Sequence, residues 1–404
     1  MTIVDRADFP LVPETEIPPR HEAFRRLLGE SDVALAVVTH PVDVFYLTGS
    51  MPDGWLLFPR DAKPTLLVRK SLERARRETS HTTVDPFRGA RGLAALIREH
   101  VGAGEMRLGL DLDVCPAALH LKLAELLPGT AWIDTGSLIR RVRAVKSAWE
   151  IEQHKQAARQ HVATFAAIRE HLAEGVTELE LSTAAEAAMR REGHQGLVRF
   201  RRPGMELWFC IVGTGPGAAY PTAFDGPMGS DGLHPASGLV AGHRPIRRHV
   251  PVMADILGNH YGYHADIART FCLGEPPDAV HRAHDFCREA LRRVEKLLVP
   301  GTPWSDVYVA VDDWARQTGE PEGFMGYGEN RVKFFGHGVG LEVDEFPVLA
   351  KGFRQPLEAG MVVAVEPKAY SPDLGPAGLE MSYVITDQGP VPLLDYPEEI
   401  IVVD

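Results

Sequence analysis

The sequence predicts an α/β (α+β) protein of two domains, and three observations carry that prediction. Helix-like and strand-like runs alternate from residue 21 to about 139, the mark of an α/β domain. A junction at 140–147 then opens onto a long amphipathic run. Beyond it, 251–271 and 357–386 each read as a β-hairpin carrying two carboxylates. A chain of 404 residues has room for two cores, with boundaries expected at 1–146 and 147–404.

Taken in order, 1–20 is rich in proline and acids and reads as an irregular lead-in. HEAFRRLLGE (21–30) and GLAALIREHVG (92–102) are amphipathic helices. VALAVVT, WLLFP, PTLLVRK, LGLDL and AWID are short apolar runs of strand length, and DVFYLTGS (43–50) reads as an apolar turn. Nothing in this half gathers His, Cys and carboxylates into a site. Its expected role is architectural, closing over a neighbour's cleft or forming an oligomer contact.

Ser147 with Glu150 forms a capping box ahead of the helix EIEQHKQAARQHVATFAAIREHLAEG, which Gly175 ends. Thr177 with Glu180 caps a second helix to about Glu192, with Val176 and Leu181 as its hydrophobic staple. His154, His161 and His171 on the first helix read as solvated or capping. LWFCIVGTGPGAAYPTAFDG (207–226) is a strand entering a Gly/Pro loop. Gly213, Gly215 and Gly217 do not supply GxGxxG before a helix, which excludes a dinucleotide site. The loop 225–250 carries His234, His243, Arg244, Arg247, Arg248 and His249. It reads either as a solvated insertion or as a lid whose cations meet an anionic substrate group. A helix over 278–301 follows, then another capped by Thr302, with Pro303 at its first position, that stops at Gly319.

Apolar content of 45% and charged content of 24% fit a soluble globular chain. The balance of 43 basic against 55 acidic residues gives a net charge of −12, which argues against a general nucleic-acid or anionic-membrane binder. No apolar run is long enough to span a bilayer. The first residues lack the basic start and apolar core of an export signal. Cys115, Cys210, Cys272 and Cys287 are scattered, as expected of reduced thiols in a cytoplasmic protein.

The carboxylates carry the chemistry. In PVMADILGNHYGYHADIARTF, a turn over 259–262 sets Asp255 opposite Asp266 on one face. Two anions so close repel, and a divalent cation between them is the simplest compensation. An ordinary hairpin would instead carry one buried and one exposed aspartate. His337 lies between glycines in FFGHGVGLEVDEFPVL, where the backbone can approach a ligand closely. In the second hairpin Asp373 is midway between Glu366 and Glu380, so these two also face each other. Four carboxylates and one imidazole suit two divalent ions that share bridging carboxylates and activate a water.

With those residues in view the chain resembles the pita-bread metallopeptidases, the superfamily of methionine aminopeptidases, Xaa-Pro aminopeptidases, prolidases and creatinase. The carrying motifs are D-x10-D at Asp255 and Asp266, GHGVGL around His337, EP at Glu366 and LE at Glu380. IRRVRAVKSAWEIE (139–152) resembles the junction that follows the creatinase-type N-terminal domain. The resemblance implies a pseudo-two-fold pita-bread catalytic domain behind a creatinase-like α/β domain, in a homodimer. It also implies that Asp255 binds one metal, that His337 and Glu366 bind the other, and that Asp266 and Glu380 bridge them. Glu366 is then the general base, and Glu345 a second catalytic candidate. An oxygen-rich set with one His suits Mn²⁺ best, with Co²⁺, Zn²⁺ or Fe²⁺ as alternatives.

The departures fall on groups that would clamp a substrate. Thr222 and Asp344 stand where the Xaa-Pro peptidases carry histidines, Gly378 where prolidases place an arginine, and Met381 where an acid is frequent. Thr222, Asp344, His243 and Arg244 are the substrate-binding candidates, with Tyr220, His234, Tyr327 and Tyr383 as further substitutes. Three readings follow: an exopeptidase of Xaa-Pro type on short peptides, a non-peptide C–N hydrolase or lyase on the same scaffold, and a non-catalytic binding protein. The complete ligand set favours the first.

Overall fold

The computed structural model describes residues 9–102, 106–236, 238–373 and 375–404; the first part of the expected lead-in, 1–8, lies outside them. Contacts divide the chain into two units, Met1–Arg143 and Ala144–Asp404.

The first unit is a six-stranded mixed sheet with helices. Its strands are β1 (Leu35–Val38), β2 (Gly54–Pro59), β3 (Thr65–Val68), β4 (Thr83–Pro86), β5 (Met106–Leu110) and β6 (Thr130–Asp134), in the order β4-β3-β2-β1-β5-β6. Its helices are α1 (Ile17–Glu30), α2 (Pro41–Thr48), α3 (Leu72–Glu78), α4 (Gly89–Val101), α5 (Ala117–Leu126) and α6 (Gly136–Ala144). Leu35, Val37, Leu57 and Leu108 pack with Leu93 and Ile97 of α4 as its core. Two expectations are corrected here. The lead-in already turns helical at Ile17. The apolar stretch at 43–50 is most of helix α2, which Pro41 starts and Gly49 ends at φ 80°. Proline at the first helical position and glycine just past the last are the start and stop signals that identify it.

The second unit begins with α7 (Ala148–His171) and α8 (Glu178–Arg191), and both expected capping boxes are formed, Ser147 with Glu150 and Thr177 with Glu180. Then come β7 (Cys210–Thr214), β8 (Pro251–His260), β9 (Tyr263–Leu273), α9 (Asp278–Glu295) and α10 (Trp304–Thr318). Pro303 is the N-cap of α10, one residue beyond the expected Thr302. The remaining strands are β10 (Phe334–Gly338), β11 (Glu345–Ala350), β12 (Val362–Val365), β13 (Lys368–Ser371), β14 (Gly375–Gly378), β15 (Met381–Thr386), β16 (Gly389–Pro392) and β17 (Ile401–Val403). They form sheets of order β17-β9-β8-β7 and β11-β10-β12-β15-β16, with β13-β14 as a separate ribbon. α7 and α8 back the first sheet, while α9 and α10 back the ribbon and β11. Each carboxylate hairpin thus has its own pair of helices.

His154 and His161 correct another expectation, because both are fully buried. His161 Nε2 lies 2.9 Å from the Ile256 carbonyl, and His154 Nδ1 meets the carbonyl of His264 at 2.5 Å. Desolvation pushes them down to about 4 and about 3, so they stay neutral. They fasten α7 to the β8–β9 hairpin on either side of its turn.

Glu178 fastens the other side. Its carboxylate accepts the Thr214 N–H at 2.7 Å and the Gly242 N–H at 3.0 Å, which ties the end of the 225–250 loop to α8 and β7. Burial pushes this carboxyl up to about 7, against the pull of those two donors. The folded state therefore holds the proton more tightly than the unfolded one. Its contribution to stability is complete below 4.5 and is lost as pH rises through about 7. Glu178→Gln is expected to flatten the fall in urea-unfolding free energy across that window, and an unchanged slope would assign the titration to another group.

Candidate metal centre

The first carboxylate pair is set by a tighter turn than the sequence suggested. β8 and β9 join through Tyr261 and Gly262, at φ 48° and 88°, so His260 pairs with Tyr263 and Asp255 with Ala268. Left-handed backbone at both central residues is the geometry of a two-residue hairpin turn. The register differs from the expected one by two residues, an even number, so Asp255 and Asp266 keep one face but sit diagonally.

The second pair faces as expected. β12 pairs with β15 and β13 with β14 in one continuous register, with Lys368 opposite Gly378 and Val365 opposite Met381. Glu366 and Glu380 fall in the gap where the chain passes from one sheet to the next. Ala268 and Glu380 exchange backbone hydrogen bonds of 3.3 and 3.0 Å, which brings this pair against β9. Arg269 is fully buried and donates to the Glu380 carbonyl at 2.9 Å, while Thr270 Oγ1 donates to the Gly378 carbonyl at 2.7 Å. These two positioning residues were missed in the sequence, although an arginine in so apolar a strand is a signal.

His337 lies on β10, opposite Ala364 of β12. A Cβ on either flanking glycine would stand 2.2 Å from a carbonyl oxygen, so only glycine allows this approach. Nδ1 lies 3.0 Å from the Val343 carbonyl, and an N–H donated there leaves Nε2 unprotonated toward the carboxylates. Nε2 is 3.7 Å from Glu366 Oε1 and 4.0 Å from Asp266 Oδ2. Asp266, His337 and Glu380 offer ligand atoms that all lie within 4.8 Å of one another.

At the heart of the cluster stands a residue that sequence reasoning overlooked. Lys368 Nζ is 2.7 Å from Asp255 Oδ2, 3.1 Å from Glu366 Oε2 and 2.5 Å from Glu380 Oε2. Residues two apart on a strand share a face, so its position two after Glu366 was the available signal. Burial is opposed by these three anions, which together hold the ammonium well above the usual lysine range. The acids feel the converse. Desolvation raises Asp266 and Glu366, and takes Glu380 up to about 8 despite Lys368. One ammonium does not balance three buried carboxylates and the half-buried Asp255. Asp266 Oδ1 and Glu380 Oε1 are buried with no hydrogen-bond partner among the described residues. Orphaned anionic oxygens beside an imidazole nitrogen fit a divalent cation.

The other predicted residues are not all gathered here. Asp344 lies 3.7 Å from His337 Nδ1 at the rim. Glu345 is buried away from the cluster, accepting the Glu342 N–H at 3.1 Å and pairing with Lys146 at 3.4 Å. His243 is exposed, and Arg244 pairs with Asp231 in the stretch that α8 holds. Neither meets the cluster. Thr222 lines a neighbouring cavity of about 310 Å³ with Arg202, Tyr327 and Arg331. The space over the carboxylates is about 40 Å³, walled by Leu207, Phe224 and Leu239, and Phe224–Met228 border both. No helix among the described residues is long and apolar enough to cross a membrane.

Comparison with known proteins gives this geometry its context. Residues 152–387 match metallopeptidase family M24, and residues 20–145 match the creatinase/prolidase N-terminal domain. The probable dipeptidase PepE of Mycobacterium tuberculosis is 28% identical over 392 residues, 93% of each chain. An Xaa-Pro dipeptidase of Pyrococcus furiosus is 24% identical, over 92% of this chain and 96% of its own. The crystal structure of dipeptidase PepE from Mycobacterium ulcerans superposes with a TM-score of 0.81 at 25% identity, over 98% of this chain and all of the other. By the extent of its catalytic-domain match, this chain belongs to metallopeptidase family M24.

Proposed function

We propose that the protein is a metal-dependent dipeptidase that cleaves short peptides, Xaa-Pro dipeptides among them. The observation that carries the reading is the convergence of Asp266, His337 and Glu380 at the buried end of a cleft, in a chain of this family. Its relatives named dipeptidase and Xaa-Pro dipeptidase support the substrate class, and they do not favour a non-peptide C–N hydrolase or lyase.

Asp266, His337, Glu366 and Glu380 would hold the metal, and Mn²⁺ suits so oxygen-rich a set. A divalent ion there supplies a Lewis acid that polarises a carbonyl and acidifies water. Glu366 accepts a proton at Oε1, the oxygen that Lys368 leaves free, and delivers it to the leaving amine. The Val343 carbonyl fixes the His337 ring so that Nε2 keeps its lone pair inward. Leu207, Phe224 and Leu239 exclude bulk water. Arg202, on the wall of the larger cavity, offers a guanidinium to the C-terminal carboxylate of a dipeptide. The free cysteines accord with a cytoplasmic setting, and a homodimer is the assembly that the family resemblance implies.

The test is hydrolysis of a panel of Xaa-Pro and non-proline dipeptides and tripeptides by Mn²⁺-loaded protein, with and without chelator. Chelator-sensitive release of free amino acids from dipeptides is expected. No cleavage of any peptide by fully loaded protein would overturn the reading.

A further inference from the structure

Lys368 divides the cluster into two unequal halves. On one side its ammonium touches Asp255, Glu366 and Glu380, one oxygen of each, at 2.5 to 3.1 Å. An ammonium has three N–H donors, and here each has a carboxylate acceptor. The side chain is 1% exposed. On the other side lie the atoms it does not touch. These are both oxygens of Asp266, Glu366 Oε1, Glu380 Oε1 and His337 Nε2, with Asp255 Oδ1 the remaining oxygen that the ammonium does not contact. The convergent ligand set among the described residues is Asp266, His337 and Glu380, which leaves out Asp255 and Glu366, although Glu366 Oε1 lies 3.7 Å from His337 Nε2.

Backbone geometry holds the lysine in place. Lys368 lies opposite Gly378 on the β13–β14 ribbon, and a Cβ at Gly378 would stand 2.8 Å from the Lys368 Cα. The strands are therefore pressed together at this point, and the lysine side chain runs inward from a fixed base. Withdrawal of the ammonium would leave it either unpaired in the interior or displacing packed side chains, and an unpaired buried charge is strongly unfavourable. A metal ion binds carboxylate oxygens at about 2.0–2.2 Å. An ion among Asp255 Oδ2, Glu366 Oε2 and Glu380 Oε2 would need the space that Nζ fills, and would also meet its positive charge.

We infer that the Lys368 ammonium is the resident cation of one of the two positions, so that the centre takes a single divalent ion on Asp266, His337, Glu366 and Glu380. Asp255 is then the counter-ion of Lys368 and not a metal ligand. The inference rests on reading these side chains as metal ligands, and not on the peptide as substrate.

Metal binding tests it directly. Full-length protein is stripped with chelator, desalted and titrated with MnCl₂, with equivalents bound measured by calorimetry and elemental analysis and the ion environment by EPR. The wild-type protein is expected to bind one equivalent with the signal of an isolated Mn²⁺. Lys368→Gly, with folding checked by circular dichroism, is expected to bind two and to show an exchange-coupled pair. Asp255→Asn is expected to keep the single equivalent, and this holds the test open should the glycine variant fail to fold. Two equivalents or none in the wild-type protein overturns the inference, as does one equivalent in folded Lys368→Gly or loss of the ion in Asp255→Asn. The peptide panel on the same preparations separates the two claims. One equivalent without cleavage supports this inference and removes the dipeptidase reading. Two equivalents with cleavage do the reverse.

Discussion

Glu366→Gln is expected to lower kcat on a cleaved dipeptide by about 10²–10⁴-fold, the usual range for loss of a positioned general base. The amide preserves the shape of the side chain and can still accept hydrogen bonds from Lys368 Nζ, which sits 3.1 Å from Oε2. What it loses is an oxygen able to take up a proton 3.7 Å from His337 Nε2. Asp266, His337 and Glu380 converge without it, so the variant should retain its ion. KM should therefore change much less than kcat. The check is steady-state kinetics with metal content measured on the same sample. A fall of less than about tenfold at full metal loading would transfer the proton to another group.

Lys368→Met carries the largest expected effect on stability. Methionine fills similar space but leaves Asp255, Glu366 and Glu380 without the ammonium that all three share. Removing one partner of a buried ion cluster costs about 3–5 kcal/mol, because the remaining charges are left uncompensated in the interior. The effect has a direction with pH. Glu380, taken up to about 8 by burial, binds its proton more tightly folded than unfolded. Its contribution is therefore lost as pH rises from 4.5 through about 8. Without the ammonium the neighbouring anions press harder on each other. The penalty should be smaller near pH 5, where Glu380 holds its proton, and grow toward pH 9 as Glu380 ionises. Urea unfolding in chelator across that range measures it, and a penalty independent of pH would mean that packing is responsible.

The parts of this molecule that were legible in the sequence are those with local rules. Ser147 with Glu150 and Thr177 with Glu180 each specify a helix start within four residues, and both formed. The continuous register of the second hairpin followed from spacing about Asp373 alone. The β8–β9 turn was misread because tyrosine at positive φ is disfavoured, so a longer loop looked cheaper than Tyr261 at 48°. An error of two residues did no harm to the face, since side chains alternate with period two. His154 and His161 were misplaced because a lone histidine carries no local sign of burial. Their partners are carbonyls about a hundred residues away. Lys368 was overlooked for a different reason. A search for metal-ligand types passes over a cation, yet strand alternation from Glu366 puts one among the ligands.

The seam that Glu366 and Glu380 occupy between two sheets has a kinetic consequence. Asp266 and Ser382 exchange two hydrogen bonds across 116 residues of sequence, and Glu380 is held to β9 beside them. Contacts of such separation pay their loop-closure entropy before they return any stabilisation, and so belong to the later stages of folding. Interactions absent from the folding transition state act on the rate of unfolding and hardly on the rate of refolding. An ion bound at this seam would thus serve as a latch on the finished fold, prolonging the life of the native state without hastening its arrival.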